Sequence, residues 1–406
     1  MREIRGDWRD IFHTFRIALD LRKLSLSLVG MALSVLGIGV ILFVSLLSYQ
    51  RRDGVLWTSV KSGQWVQARQ SLTIHAEYLF TPRGAATCGP EACCPDSRMS
   101  RALAHCPISR LGRPTPAGWV ACSLAALWLL FVWSFFGGAI SRIAAVEIAR
   151  DERIPFQEAT RFARSRYLSC LWAPLSVGAA ALLFAACIAS GGWLCGALWN
   201  WYGLGKILLV VGFPLALLGS FLILLLTIGI LLGWPMMFPA VAAEGTDAFD
   251  AVTRAFSYVY SRPWRYLWCN LVATLYAIPS CLFVLWFART LLNLALCLGQ
   301  RWMPAEFAAV KGGLGPCFGG SYGDFPSLSG SPLLWICAVL VCGMAYVLLG
   351  LAWGYILSYC YSARTMIYLL MRRAVDGTEM KEVFEEESEE DLVAGSAPPA
   401  GEAPKP

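Results

Sequence analysis

Charge is scarce in this chain. Only 15% of its 406 residues are Asp, Glu, Lys or Arg, and it has just three histidines. A soluble domain averages roughly 25% charged residues, so the composition excludes an ordinary water-exposed surface. Six apolar runs, Leu24–Leu47, Gly118–Ile140, Leu168–Ser190, Ile207–Trp234, Tyr266–Phe287 and Leu333–Tyr359, hold no ionisable Asp, Glu, Lys, Arg or His in their middles. Pumps and proton symporters place such groups near mid-bilayer, so a pump or proton symporter is disfavoured. Also missing are a Ser-His or paired-Asp constellation for intramembrane proteolysis and any nucleotide or metal-ligand signature. No basic stripe stands apart from the apolar runs, which excludes nucleic acid as a partner. No cofactor is expected.

What is there is membrane-spanning sequence. Each run is near or above the ~20 apolar residues that cross a ~30 Å hydrocarbon core. The chain is 57% hydrophobic with mean hydropathy +0.57, and its seventeen Trp and fourteen Tyr suit interfacial belts. The fold class expected is all-α integral membrane, with six transmembrane helices and repeated interfacial amphipathic helices. The fourth and sixth runs are longer than a span requires and should tilt or extend beyond the lipid. Pro174, Pro214, Pro235 and Pro279 should kink or end their helices. The first run is too long for a signal-peptide core and lacks a small-residue cleavage site, so it reads as a signal anchor.

Basic residues set the orientation. Arg2, Arg5, Arg9, Arg16, Arg22 and Lys23 precede the first run. Arg142, Arg150, Arg153, Arg161, Arg164 and Arg166 follow the second, Arg254, Arg262 and Arg265 the fourth, and Arg372 and Arg373 the sixth. The positive-inside rule then puts both termini in the cytoplasm of a bacterial inner (plasma) membrane. Residues 1–23 read as a cytoplasmic amphipathic helix, since Ile4, Trp8, Ile11, Phe12, Phe15 and Leu19 make one apolar stripe. It is either a plain juxtamembrane helix with snorkelling arginines or a lipid-headgroup-binding one. Residues 24–373 form the membrane domain, with extracytoplasmic loops at 49–116 and 288–332. Residues 374–406, with ten acids against two lysines, read as a disordered cytoplasmic tail, with docking to a basic partner as the alternative.

Two stretches align at a constant offset of 93 residues. Asp151-Glu152-Arg153-Ile154-Pro155-Phe156, with Thr160-Arg161, matches Glu244-Gly245-Thr246-Asp247-Ala248-Phe249 with Thr253-Arg254. Asp376-Gly377-Thr378-Glu379 echoes the second. The pattern predicts a unit in which a span exits, turns, and feeds an amphipathic helix lying on the membrane. Arg161 and Arg254 should then occupy equivalent positions and reach either lipid phosphate or the acids Asp151 and Glu244. On these residues, with Arg262 and Pro263, the stretch 142–373 resembles uncharacterised bacterial multi-pass membrane proteins and, more distantly, the membrane domain of glycerophosphodiester phosphodiesterases. The resemblance implies a membrane scaffold. It implies no hydrolase activity, because the His-Arg pair and Glu-x-Asp cluster of their catalytic domain have no counterpart here.

Cys88, Cys93, Cys94 and Cys106 cluster in the long loop among Gly and Pro. They could be disulfide-paired in an oxidising compartment, reduced, or part of a metal site, although adjacent Cys93-Cys94 lacks the usual gap of a zinc ligand pair. Cys297 and Cys317 are weaker candidates for a bridge. Gly229 with Gly233, and Gly350 with Gly354, are small-xxx-small pairs suited either to internal helix packing or to homo-oligomer contacts. Functionally, a non-enzymatic structural or accessory membrane component is expected, bound to the lipid bilayer and to a membrane-complex partner or a second copy. A permease for a small or lipidic solute is the alternative, using Ser220, Thr227, Asn270, Thr274 and Tyr276. A headgroup-level enzyme is the weaker third reading.

Overall fold

The computed structural model describes residues 6–50, 116–198, 204–302 and 332–384. Among the described residues there is no strand; the protein is all-α. A short 3-10 helix (Trp8–His13) leads into α1 (Thr14–Ala18) and α2 (Leu21–Gln50). Then follow α3 (Pro116–Arg150), α4 (Phe156–Ser165), α5 (Tyr167–Ala197), α6 (Leu204–Glu244), α7 (Ala248–Ser261), α8 (Pro263–Gln300) and α9 (Pro332–Val375). Six of these, α2, α3, α5, α6, α8 and α9, are long and apolar enough to cross a membrane. Cys88, Cys93, Cys94, Cys106 and Cys317 lie outside the described residues. The ten cysteines within them are unbridged.

The chain divides into two compact units. The smaller comprises residues 28–134. In it the Trp128 indole N–H donates to the Leu33 carbonyl at 3.2 Å, and a Cβ at Gly37 would overlap that indole. The larger comprises residues 1–27 and 135–406. There α5 packs along α6, α8 along α9, and α7 lies against both α5 and α6.

Several boundaries differ from the sequence expectation. Of the two outcomes expected of the prolines, ending a helix does not occur: Pro174 lies inside α5, Pro214 and Pro235, with Pro239, inside α6, and Pro279 inside α8. Local adjustment absorbs the lost backbone bond where no water competes for it. Helix α3 runs ten residues past the expected end of its span, so Arg142 and Arg150 are helical rather than loop residues. Helix α8 continues to Gln300 because Leu292 and Leu296 pack against Cys342 and Ala345 of α9. The loop expected from 288 therefore begins later, and Cys297 is helical.

The N-terminal stripe is also corrected. Asp10, Ile11, Thr14, Ile17 and Ala18 are buried, whereas Trp8, Phe12 and Leu19 are exposed. Trp8–His13 is a 3-10 helix and Thr14–Ala18 an α-helix, so no single α-helical stripe runs through the segment. Asp10 fixes its start by accepting from the Gly6 and Asp7 amides at 2.7 and 3.2 Å.

The tail departs furthest from expectation. Residues 376–384 are packed, not loose. Gly377 turns the chain at φ +73°, Met380 and Val383 are buried, and the Phe384 amide donates to the Ala243 carbonyl at 2.9 Å. Arginine donors hold the carbonyls of this segment, so it orders without a hydrophobic core of its own.

Candidate functional site

The polar groups of the larger unit gather where α3, α6, α7 and α9 end or begin. Glu244 is the last residue of α6 and is the centre of one cluster. Its carboxylate meets the Arg254 guanidinium at 2.5 Å and Arg372 at 3.7 Å, and accepts from the Tyr368 hydroxyl at 2.5 Å. Arg254 in turn binds Asp250, one turn earlier on α7, at 2.9 Å. Burial works against the Arg254 charge, but Glu244 and Asp250 more than offset it and raise its pKa. Beside them the Tyr258 hydroxyl donates to Asp376. Burial, and then the Asp376 hydrogen bond and charge, push the Tyr258 hydroxyl above its ordinary range.

Gly245 follows Glu244 at φ +63°, and a Cβ there would come within 2.7 Å of the Phe384 ring. The position needs a left-handed backbone and close approach together, which glycine alone supplies without strain. Gly377 occupies the same backbone region in the echoing Asp376-Gly377 pair.

A second cluster is wholly buried. Lys23, at the start of α2, has no exposed side-chain surface and donates to Glu147 of α3 at 2.7 Å and to the Ile17 carbonyl at 2.9 Å. Next to it Arg22 donates to the Ile154 carbonyl, and the Ser358 hydroxyl of α9 donates to the Ala18 carbonyl at 2.8 Å. This pair ties the N-terminal segment to α3.

The third cluster grips the 376–384 segment. Arg142, 5% exposed, donates to the Ala242 carbonyl at 3.1 Å and to the Phe384 carbonyl at 2.7 Å, with its guanidinium 4.5 Å above the Phe162 ring. Arg150 donates to the Val383 carbonyl at 3.2 Å. Arg372 donates to the Glu379 carbonyl at 3.0 Å and to that of Glu382.

Of the residues singled out in the sequence, Glu244 and Arg254 are brought together. Asp151 and Arg161 are not. Asp151 sits past the end of α3 at φ +59°, and exposed Arg161 makes no ion pair among the described residues. Of the two partners expected for these arginines, the acid is met by Arg254 and not by Arg161. The aligned Thr160 and Thr253 do act alike, each bonding a carbonyl of its own helix. Gly229 and Gly233 face Phe256 of α7, whose ring would lie 2.6 Å and 3.2 Å from a Cβ at each. Gly350 is partly buried and Gly354 is buried within α9.

Four of the five polar groups weighed for a transport path turn inward on their own helices, and the fifth, Tyr276, packs its ring against Phe12 and Tyr359. Ser220, Thr227 and Thr274 donate to carbonyls four residues back at 2.8, 2.7 and 2.8 Å, and the Asn270 amide to Tyr266 at 2.9 Å. Sequence reasoning missed Lys23–Glu147, Tyr368, Tyr258 and the arginine grip. One signal was present: Glu147 is the only acid between Ile140 and Arg150. Comparison of the chain with protein-family models, curated proteins and solved structures finds no match in any of the three.

Proposed function

We propose that this chain is a non-enzymatic structural or accessory component of a bacterial inner (plasma) membrane, with both termini cytoplasmic. The observation that carries the reading is the use of its buried charge. Lys23–Glu147, Glu244–Arg254–Arg372 and Arg142 all join one helix to another or to the 376–384 segment. They connect elements rather than converge on an empty reaction site. In this reading α4 and α7 lie at the membrane surface, where exposed Phe156, Phe249 and Trp264 meet lipid. The resemblance to the membrane domain of glycerophosphodiester phosphodiesterases would then extend to scaffold alone.

A second reading rests on a different observation. Between α5 and α6 lies an apolar cavity of about 520 Å³, lined by Phe184, Ile188, Leu209, Phe213 and glycines. Its lining suits a lipidic solute and favours the permease alternative. Purification from the native membrane in mild detergent separates the two. A stoichiometric protein partner is the outcome expected of an accessory component. A partner-free chain that moves lipid between leaflets of proteoliposomes would overturn it. Reporter fusions after Arg153, Asp247 and Asp376 should all read cytoplasmic, and an extracytoplasmic signal at any of them would remove the orientation.

A further inference from the structure

Beside the packed segment 376–384 is an open cleft of about 440 Å³, lined by Ala243, Glu244, Arg254, Arg372, Thr378, Glu382, Val383 and Phe384. Two of these residues each hold a polar atom that is shut from solvent and has no hydrogen-bond partner among the described residues: Arg372 Nε and Thr378 Oγ1. Arg372 itself is only 5% exposed. A buried guanidinium N–H without an acceptor is costly, and such orphans call for an occupant. Arg254, with its side chain 38% exposed, adds a second guanidinium on the rim. Glu244 is on the same wall, but Arg254, Arg372 and the Tyr368 hydroxyl already occupy its oxygens.

We infer that this cleft binds a phosphate-type oxyanion, and that the anion and the 376–384 segment compete for it. The donor set fits the ligand. The guanidinium forks of Arg372 and Arg254, which stay in place when the segment leaves, match the tetrahedral oxygens of a phosphate monoester or diester, and charge-assisted bonds to an oxyanion are stronger than those to a neutral carbonyl. The competition follows from the segment's own chemistry. Arg372 spends its Nη2 on the carbonyls of Glu379 and Glu382, neutral acceptors that an anionic oxygen can replace. The segment also brings the Glu382 carboxylate onto the cleft wall, where it repels an anion for as long as the segment stays down. An anion therefore binds the released state more tightly than the closed one, and that difference in affinity shifts the balance toward release. What holds the closed state is the remaining grip. Arg142 and Arg150 bind the Phe384 and Val383 carbonyls, and the Phe384 ring sits against Gly245 with Arg166 5.8 Å from its centroid.

The chemistry is shared by a lipid headgroup and by free phosphate. Hydrogen exchange of the full chain in nanodiscs distinguishes them. Three conditions suffice: discs of a phosphate-free glycolipid in chloride, the same discs in inorganic phosphate at matched ionic strength, and such discs containing phosphatidylglycerol. In chloride the Phe384 amide, bonded to the Ala243 carbonyl, is protected. Exchange across 379–384 is expected to rise about tenfold with the anion, the equivalent of losing one charge-assisted bond. A rise with phosphatidylglycerol alone identifies a headgroup site, and a rise in both anionic conditions identifies a soluble phosphate site. No rise in either overturns the proposal. Two variants guard the assignment. Phe384→Ala should raise exchange in chloride without any anion, and unchanged exchange would show that the segment is not held as described. Glu382→Gln removes the repelling carboxylate from the rim, so phosphate should release the segment less; an undiminished release would overturn the competition.

Discussion

The α3–α4 and α6–α7 junctions start from aligned residues and end in different electrostatics. At the second, the helix ends on Glu244 itself, so the acid stays inside the bundle, faced by Arg254, Arg372 and Tyr368. At the first, the helix ends on Arg150, and Asp151 is carried outward into a left-handed turn. The interior carboxylate there is Glu147, one turn earlier, and its cation comes from α2 rather than from the following short helix. Each junction thus buries one carboxylate, and each recruits a different partner for it. What decides the partner is where the acid falls relative to the last hydrogen-bonded turn, and a shift of one residue there is enough to exchange inside for outside.

That contrast can be broken from either side. The largest effect is expected at the first junction. Glu147→Ala takes the Glu147 carboxylate from the Lys23 ammonium while that charge stays buried, which should destabilise the fold by about 3–5 kcal/mol, read as a fall in the unfolding midpoint in detergent. Lys23→Met combined with Glu147→Leu should recover most of the loss, because an apolar pair of similar volume replaces a desolvated ion pair. A double variant as unstable as the single would show that the charges themselves are required. At the second junction, Glu244→Ala removes the shared acceptor of Arg254, Arg372 and Tyr368. Because Arg254 is partly solvated, the expected loss is smaller, about 2–3 kcal/mol, with a matching loss of proteolytic protection in α7.

The two arginines sharpen the comparison further. Arg254→Ala should cost about 1 kcal/mol, the value of a partly exposed ion-pair network. Arg161→Ala should fall within about 0.5 kcal/mol of the parent, as surface substitutions do. Equal effects at both positions would restore the equivalence that the junction geometry denies. The smallest effect is expected from alkali. The folded pKa of Tyr258 is raised above its ordinary 10.0, so its contribution is fully present below pH 10 and is lost as pH rises through the folded value. Stability should therefore decline at alkaline pH more steeply in the parent than in Tyr258→Phe, and identical slopes would remove Tyr258 from the latch to Asp376.

The six spans were legible because a run of some twenty apolar residues has one physical outcome in lipid. The local chemistry of the Glu244-Gly245 turn was legible too, since acid, glycine and downstream arginine sit within one turn and one short helix. Long-range pairing was not. Lys23 and Glu147 are 124 residues apart, and nothing in either neighbourhood names the other. The 3-10 geometry at Trp8–His13 was hidden because spacings of three and four occur together in its apolar residues, and only the partner surface chooses between them. Residues 376–384 looked disordered because they open a strongly acidic tail. Their order comes from main-chain carbonyls held by distant arginines together with the apolar side chains of Met380, Val383 and Phe384, and no composition names those partners.

The hydroxyls that bond carbonyls one turn back on their own helices have a consequence for how the molecule is made. Ser34, Ser134, Ser220, Thr227, Thr274 and Thr365 each satisfy their polarity without a neighbour. A helix carrying such a residue can enter the bilayer alone, as soon as it leaves the ribosome, with no polar group waiting for a later arrival. Lys23 is the counterexample. Its carboxylate acceptor lies on α3, so that ion pair can form only after the second span has been translated.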